Sequence, residues 1–281
     1  MPLPTFFPSL AFDIGGTSVK CLLFLEQNVP TRSWRFPSST LLHSDIVSHL
    51  HAHALPYLSR IRCIAISICG APKKNQYHGW FERFGVPTTL PDELSRLTKL
   101  PVWLFGDAES WAAHLKEKFA HLIKDQASLA LAFGTGIASA VIFPQKTVAC
   151  WDLAADPALR FKSLQQSCNA LDGVSQNISN IHDLFGAVGY AALIASQPDP
   201  AILADLVTRR WGILIRTLQQ VLAEQNQVIH SVLLGGGLAN TARLPLLTEA
   251  LSLPIGITEN AFGAAAGAAS LAAQKEASGA D

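Results

Sequence analysis

An apolar run from Leu10 to Ile14, a polar turn Gly15-Gly16-Thr17-Ser18 and a second apolar run from Val19 to Phe24 constrain this chain more than any other stretch. Two such runs divided by paired glycines fold as a β-hairpin. Gly15 and Gly16 can take the positive φ values of a tight turn and leave backbone N–H groups uncovered, so the turn can approach a phosphate closely. Asp13 cannot ligate a phosphate by charge. It can hold a hydrated Mg²⁺ that bridges phosphates, while Thr17 offers a hydroxyl and Lys20 a cation. Because the turn leads into a strand, it differs from the Rossmann and Walker loops, both of which open a helix. The same residues also suit an ordinary Gly-Gly hairpin with a capping Asp, and the rest of the chain has to decide between the two.

With 281 residues the chain is long enough for two domains, each with its own core. Its 21 basic and 21 acidic residues cancel, and no segment gathers the Lys and Arg of a nucleic-acid groove, so no nucleic-acid partner is expected. Cys21, Cys63, Cys69, Cys150 and Cys168 are scattered, mostly in apolar runs, with no C-x-x-C pair. They read as reduced core residues of a cytoplasmic protein. Met1 to Ser9 carries no positive charge and is broken by three prolines, unlike a secretory signal. No charged residue lies between Asp125 and Lys146, a length that could span a bilayer, but Gly134-Thr135-Gly136 divides it into two strand-like runs. Two buried strands are expected there, and no membrane span.

Further along, a strand is predicted near Arg32 to Phe36, a helix from Ser44 to Leu58 with a Ser cap, and a buried strand from Ile61 to Cys69. Gly70 to Pro91, rich in Gly, Pro and polar residues around Tyr77, Trp80, Phe81 and Phe84, reads as a long functional loop. Val102 to Phe105 is another short strand, followed by Gly106-Asp107 and a helix from Ala108 to Phe119. The runs Leu129 to Phe133 and Ile137 to Phe143, joined by Gly134-Thr135-Gly136, repeat the opening hairpin and suggest a ligand gripped between two related halves. Helices follow from Ile178 to Ser196 and from Pro200 to Glu224. A strand then runs into Gly235-Gly236-Gly237, with a helix from Asn240 to Leu251 behind it, which can set backbone N–H groups against a nucleotide. The last helix, 261–273, is mostly Ala and Gly, with Gly263 and Gly267 one turn apart, so another backbone can approach it closely. The expected division is a first α/β lobe over 1–108 and a second over 109–281, with the last helix packing back toward the first.

Asp107 is the residue best placed by pattern for proton transfer. It lies past a short buried strand and before a helix, where a carboxylate can be held by backbone yet accept the proton of an attacking hydroxyl. It would equally well cap the helix that follows, and both readings can hold together. Thr135 could donate to a phosphate or simply complete a turn. Three glycines after an apolar strand need a reason, and close backbone approach is a physical one. His43, His49, His51 and His53 invite a metal reading, but no carboxylate or cysteine stands at ligand spacing, and a solvated helix face is favoured. Trp80, Phe81 and Phe84 fit a sugar-facing wall or local core packing.

Four segments taken together resemble one family. DIGGTSVK at 13–20, FGDAES at 105–110, AFGTGIAS at 132–139 and LLGGGLAN at 233–240 resemble, in order and spacing, the phosphate-1, catalytic, phosphate-2 and adenosine motifs of the ROK sugar kinases. TENAFGAAAGAA at 258–269 resembles that family's closing helix. The resemblance implies an α/β, two-lobed actin-like ATPase (ribonuclease H-like) fold with a central cleft for ATP, Mg²⁺ and a sugar, closing on substrate. It implies Asp107 as catalytic base and Asp13 near Mg²⁺ through water. It also places Gly15, Gly16, Thr17, Gly134, Thr135 and Gly136 around the phosphates and Gly235, Gly236 and Gly237 at the adenosine.

The chain departs from the family between and within these motifs. Gly106 stands where an Asn precedes the catalytic Asp, and Glu109 replaces the Asn after the following Ala. The cysteine-rich zinc motif has no counterpart, so no zinc is expected. The Glu-Ile-Gly-His element that grips sugar hydroxyls is replaced by Ala149-Cys150-Trp151-Asp152-Leu153, and the Asn of the loop before Pro91 is not identifiable, although Asn75 is nearby. The resulting expectation is an ATP-dependent kinase for a sugar or polyol, cytoplasmic, with a homodimer allowed. The alternatives are a non-catalytic nucleotide or metabolite sensor on the same fold, or a kinase for a non-sugar acceptor. ROK repressors carry a DNA-binding element before the first hairpin, and with nine residues ahead of Leu10 such a repressor is not expected.

Overall fold

The computed structural model describes residues 7–26, 29–43, 45–69, 72–73, 76–77, 89–123, 126–144, 148–153, 156–240 and 244–278. Among them run the strands β1 (Ser9–Ile14), β2 (Ser18–Phe24), β3 (Arg32–Pro37), β4 (Cys63–Ile68), β5 (Pro72–Lys73), β6 (Gln76–Tyr77), β7 (Val102–Gly106), β8 (Ala127–Phe133), β9 (Ile137–Ile142), β10 (Val148–Cys150), β11 (Ile229–Gly235) and β12 (Ile255–Ile257). The α-helices are α1 (Ile46–Ala54), α2 (Leu90–Thr98), α3 (Asp107–Lys118), α4 (Phe161–Asp172), α5 (Ile181–Phe185), α6 (Ala187–Ser196), α7 (Pro200–Glu224), α8 (Leu244–Leu251) and α9 (Gly263–Ser278). The chain forms two compact units, Met1–His114 with Phe262–Asp281, and Leu115–Ala261.

In the first unit the sheet order is β3-β2-β1-β4-β7. The opening hairpin pairs β1 with β2 antiparallel, setting Asp13 opposite Lys20, and β1, β4 and β7 then run parallel. Every residue of β1 and β4 is buried. That is why their sequences read as unbroken apolar runs: helices cover both faces of a parallel sheet. On one face Phe12, Ile14, Ile64 and Ile66 pack with Leu50 of α1 and Leu94 of α2. On the other, Ala11, Ala65 and Phe105 pack with Ala265, Ala268 and Ala272 of α9. Small residues on α9 permit this approach. A Cβ on Gly267 would collide with the Ser110 carbonyl, and one on Gly263 with the Trp111 ring. Trp103 Nε1 donates to Glu276 Oε1 at 2.7 Å and ties the far end of α9 to β7.

The second unit repeats the strand pattern. Its order is β10-β9-β8-β11-β12, again two antiparallel pairs followed by two parallel ones. Phe133 at the end of β8 stacks on Trp211 of α7, with ring centroids 4.1 Å apart. Beside them a buried Arg210 donates to Asp172, Ser175 Oγ and the carbonyls of Leu184 and Gly189, clasping α4, α5 and α6 to α7. The uncharged window 125–146 falls on β8 and β9, and no described helix is long and apolar enough to cross a membrane.

Several local expectations shift. Asp45 caps α1 through its carboxylate on the Val47 N–H at 3.0 Å, whereas the expected Ser44 lies outside the described residues. Helix α2 occupies the end of the stretch expected as loop, with Pro91 in its first turn, where a missing N–H does no harm. The helix expected over Ile178 to Ser196 is two helices broken at Gly186, where a Cβ would collide with the Thr135 carbonyl. Helix α4 and strands β10 and β12 carry no strong periodicity and were not expected. Asn75, Trp80, Phe81 and Phe84 lie outside the described residues.

Gly267→Val should lower the unfolding free energy by about 2 kcal/mol or more, because the obstacle is backbone and cannot rotate away. Gly212→Ala in α7, where only the Arg216 side chain comes near, should be neutral or stabilising by up to ~1 kcal/mol. Denaturant titration of both variants measures the contrast.

Candidate active site

The hairpin turn of the first unit is held from below. Gly15 N–H donates to the Ser18 carbonyl at 3.2 Å. Ser38, buried at the start of a 3₁₀ turn, donates its N–H to the Thr17 carbonyl at 3.1 Å and its hydroxyl to the Gly15 carbonyl at 2.5 Å. Turn carbonyls are thereby engaged by protein, while the Gly16 N–H donates to no group among the described residues. A turn with tethered carbonyls and an unused N–H is suited to an anion.

Asp13, one residue before the end of β1, is almost fully buried, and its Oδ2 pairs with Lys20 Nζ at 3.0 Å. Burial raises its pKa and the Lys20 charge and hydrogen bond oppose that rise. Lys20, expected as a phosphate cation, thus has one of its three donors on Asp13.

Asp107 opens α3 directly after β7, and its Oδ1 accepts from the Ala108 N–H at 2.8 Å. Its pKa is pushed up to about 6, chiefly by burial. The Ala108 N–H opposes the shift, the Asp13 charge adds to it, and a hydrogen bond from the Cys69 side chain opposes it again. Asp107 therefore bonds the helix N-terminus, as the capping reading has it, and also has the near-neutral pKa useful to a general base. Ser67, beside Asp13 in the β1–β4 register, is buried with its hydroxyl unpartnered among the described residues.

In the second unit the two glycine turns meet. Leu238 N–H donates to the Phe133 carbonyl at 3.1 Å, joining the end of β8 to the turn after β11. Gly236 has φ +99°, and a Cβ there would strike the Phe133 backbone. No other residue fits that position without strain. The Gly134 N–H closes its own turn on the Gly136 carbonyl at 2.8 Å, and the Thr135 carbonyl accepts from Ala187 at the start of α6 at 3.2 Å. Gly136 and Gly237 N–H groups have no protein acceptor among the described residues, and nothing stands within 4 Å of a Cβ built on Gly237.

Sequence reasoning missed Ser38, Ser67, Cys69, His182 and Gly186. His182 Nδ1 accepts from the Ile137 N–H at 3.4 Å and packs beside Gly136. None lies in a glycine motif, so only the fold connects them to the turns. His49 and His53 pack half-buried against Phe36, with Phe36 and His53 stacked at 4.4 Å, which corrects the expected solvated face. Among the described residues no group of three or more His, Cys, Asp or Glu side chains is arranged to hold a metal ion. A hydrated Mg²⁺ carried mainly by phosphates would need a single protein carboxylate, and Asp13 beside the first turn is a residue of that kind.

No protein-family model matches the sequence, and no curated protein matches it at the sequence level. Solved structures do match the fold. The inorganic polyphosphate/ATP-glucomannokinase of Arthrobacter sp. strain KM superposes with a TM-score of 0.64 at 15% identity, over 96% of this chain and 100% of that one. A ROK family glucokinase from Streptomyces griseus, in complex with glucose and AMPPNP, gives 0.61 at 15% identity, over 95% and 99%. A ROK family transcriptional regulator, a homologue of E. coli MLC protein, gives 0.59 at 14% identity, over 96% of this chain and 79% of that one. The chain has the actin-like ATPase fold of the ROK sugar kinases.

The raised pKa of Asp107 has a definite sign. The folded state favours its protonated form, so its contribution to stability is present below the ordinary value of 3.8 and lost as pH rises through about 6. Asp107→Asn, which cannot titrate, should gain roughly 1–3 kcal/mol relative to the native chain between pH 4 and pH 7.5. Thermal and denaturant unfolding across that range check it.

Proposed function

We propose that the protein is an ATP-dependent kinase that transfers the γ-phosphate to a hydroxyl of a sugar or sugar-like substrate. One observation carries this reading: a half-buried carboxylate, Asp107, is held at a helix N-terminus with its pKa raised toward neutrality, one strand removed from the Asp13 hairpin, in a chain with the ROK sugar-kinase fold. Support also comes from what similar structures are named for, ATP-dependent phosphorylation of glucose or mannose-type sugars.

In this mechanism Asp107 accepts the proton of the acceptor hydroxyl as its oxygen attacks the γ-phosphorus in line, and ADP leaves. Gly16 of the first turn and Gly136 of the second would present N–H donors to the phosphates, with the Thr17 and Thr135 hydroxyls beside them, while the Gly15 and Gly134 N–H groups close the two turns. Gly235, Gly236 and Gly237 lie flat against the adenosine, and Lys20 pairs with Asp13 and opposes the rise that burial gives its pKa. Asp13 would hold a water of the Mg²⁺ that neutralises charge on the phosphoryl oxygens. The neighbouring regulator fold and the substitution of Gly106 and Glu109 in the Asp107 motif favour a second reading, a non-catalytic sensor of a nucleotide or sugar.

Mg²⁺-dependent ADP release, run with ATP or inorganic polyphosphate as donor against hexoses, N-acetylated amino sugars and polyols, separates the two. A kinase gives an acceptor-stimulated signal that Asp107→Asn reduces roughly 10²–10⁴-fold. Silence across the panel with ATP binding retained favours the sensor. Gly236→Val should weaken ATP binding at least tenfold by displacing the turn from Phe133, measured by calorimetric titration.

A further inference from the structure

We propose that Cys69 is a positioning residue for Asp107, its thiol donating a hydrogen bond that fixes the plane of the carboxylate for proton abstraction. The inference rests on the kinase reading above. In the β4–β7 register Ile68 lies beside Gly106, so the residues that follow, Cys69 and Asp107, leave neighbouring parallel strands side by side. Two torsions separate an Asp carboxylate from its backbone, and the backbone donors that hold it, the N–H groups of Ala108 and of Asp107 itself, both come from the start of its own helix. Gly106 brings no side chain. The Cys69 thiol supplies a restraint from a second chain segment, one residue past the end of the buried strand β4.

A thiol is a weak donor to neutral acceptors. An ionised acceptor in a desolvated site strengthens the bond, and burial is the dominant influence on Asp107. Cys69 also differs from the core thiols. Cys21, Cys63 and Cys168 are buried, whereas Cys69 is only partly covered and stands at the strand end where the two acids gather. Chemically it is a donor that cannot compete with Asp107 for the substrate proton, since its own proton is already shared with the carboxylate.

The S–H stretching band of Cys69, isolated as the infrared difference between the native chain and Cys69→Ala at pH 8, reads the contact without any turnover. A band displaced to low frequency that moves upward in Asp107→Asn is expected. In kinetics, Cys69→Ala should lower kcat about tenfold with KM for ATP within about twofold, and Cys69→Ser should restore kcat to within about threefold. Cys69→Val replaces the Ala variant should the latter fail to fold, as judged by its unfolding midpoint. A band indifferent to Asp107→Asn, or a Cys69→Ala enzyme as fast as the native one, overturns the proposal while leaving the kinase reading in place. Absence of any Asp107-dependent turnover in the native chain removes the kinase reading and the positioning role with it, and the infrared band then reports the thiol–carboxylate contact on its own.

Discussion

Parallel pairing of β1, β4 and β7 is the constraint on which the acidic site depends. Ladder hydrogen bonds align Asp13 with Ser67 and Ile68 with Gly106, so three strands end at one edge and the residues that end or follow them converge there. Open α/β sheets place their ligand chemistry outside the carboxyl ends of parallel strands for this reason. Neighbouring strands are about 5 Å apart, which puts Asp13 and Asp107 roughly 10 Å apart across β4. At that separation their mutual repulsion ranks below desolvation among the influences on Asp107. The strand between them supplies Ser67, a polar group where an apolar residue would have completed the core, and leads directly into Cys69.

Two carboxylates whose pKa burial pushes up show how surroundings divide structure from chemistry. For Asp172 burial pushes the pKa up, but the Arg210 hydrogen bond, the Val174 N–H, the Arg210 charge and Ser175 together bring it below the usual carboxylate range. Every oxygen of that group faces a donor, and the pair clasps helices. For Asp107 burial wins, because two backbone N–H groups, those of Ala108 and of Asp107 itself, and one thiol are too little to offset it. A fully bonded acid is inert, and an incompletely bonded one is poised to take a proton.

The second unit reaches the same strand order with a different sequence. A hairpin followed by two parallel strands brings the hairpin turn and the end of the next strand together, and in both units a glycine turn lies at that place. Gly236 shows the physical demand: the turn passes so close to Phe133 that no Cβ has room. Small residues serve a different purpose in α9, where Gly263 and Gly267 let a helix lie against Trp111 and Ser110 instead of against a ligand. A glycine motif therefore acquires meaning from what it approaches.

Both hairpins, the buried strands, the long helix α7 and the four glycine- or acid-bearing turns were legible in the residues themselves. Each is written in local chemistry: apolar runs, paired glycines, and the Asp199-Pro200 start of α7. Helix α2 was hidden because Pro91 signals a loop and a helix start alike, and the break at Gly186 because only the Thr135 carbonyl, far off in sequence, requires it. The sequence by itself determined which residues could serve an anion and a proton transfer. Only the tertiary structure decided that Ser38 anchors the first turn, that Lys20 is held by Asp13, and that Cys69 reaches Asp107. Those are contacts between strands and turns distant along the chain, set by parallel register and shared burial, and no local pattern of residues encodes them.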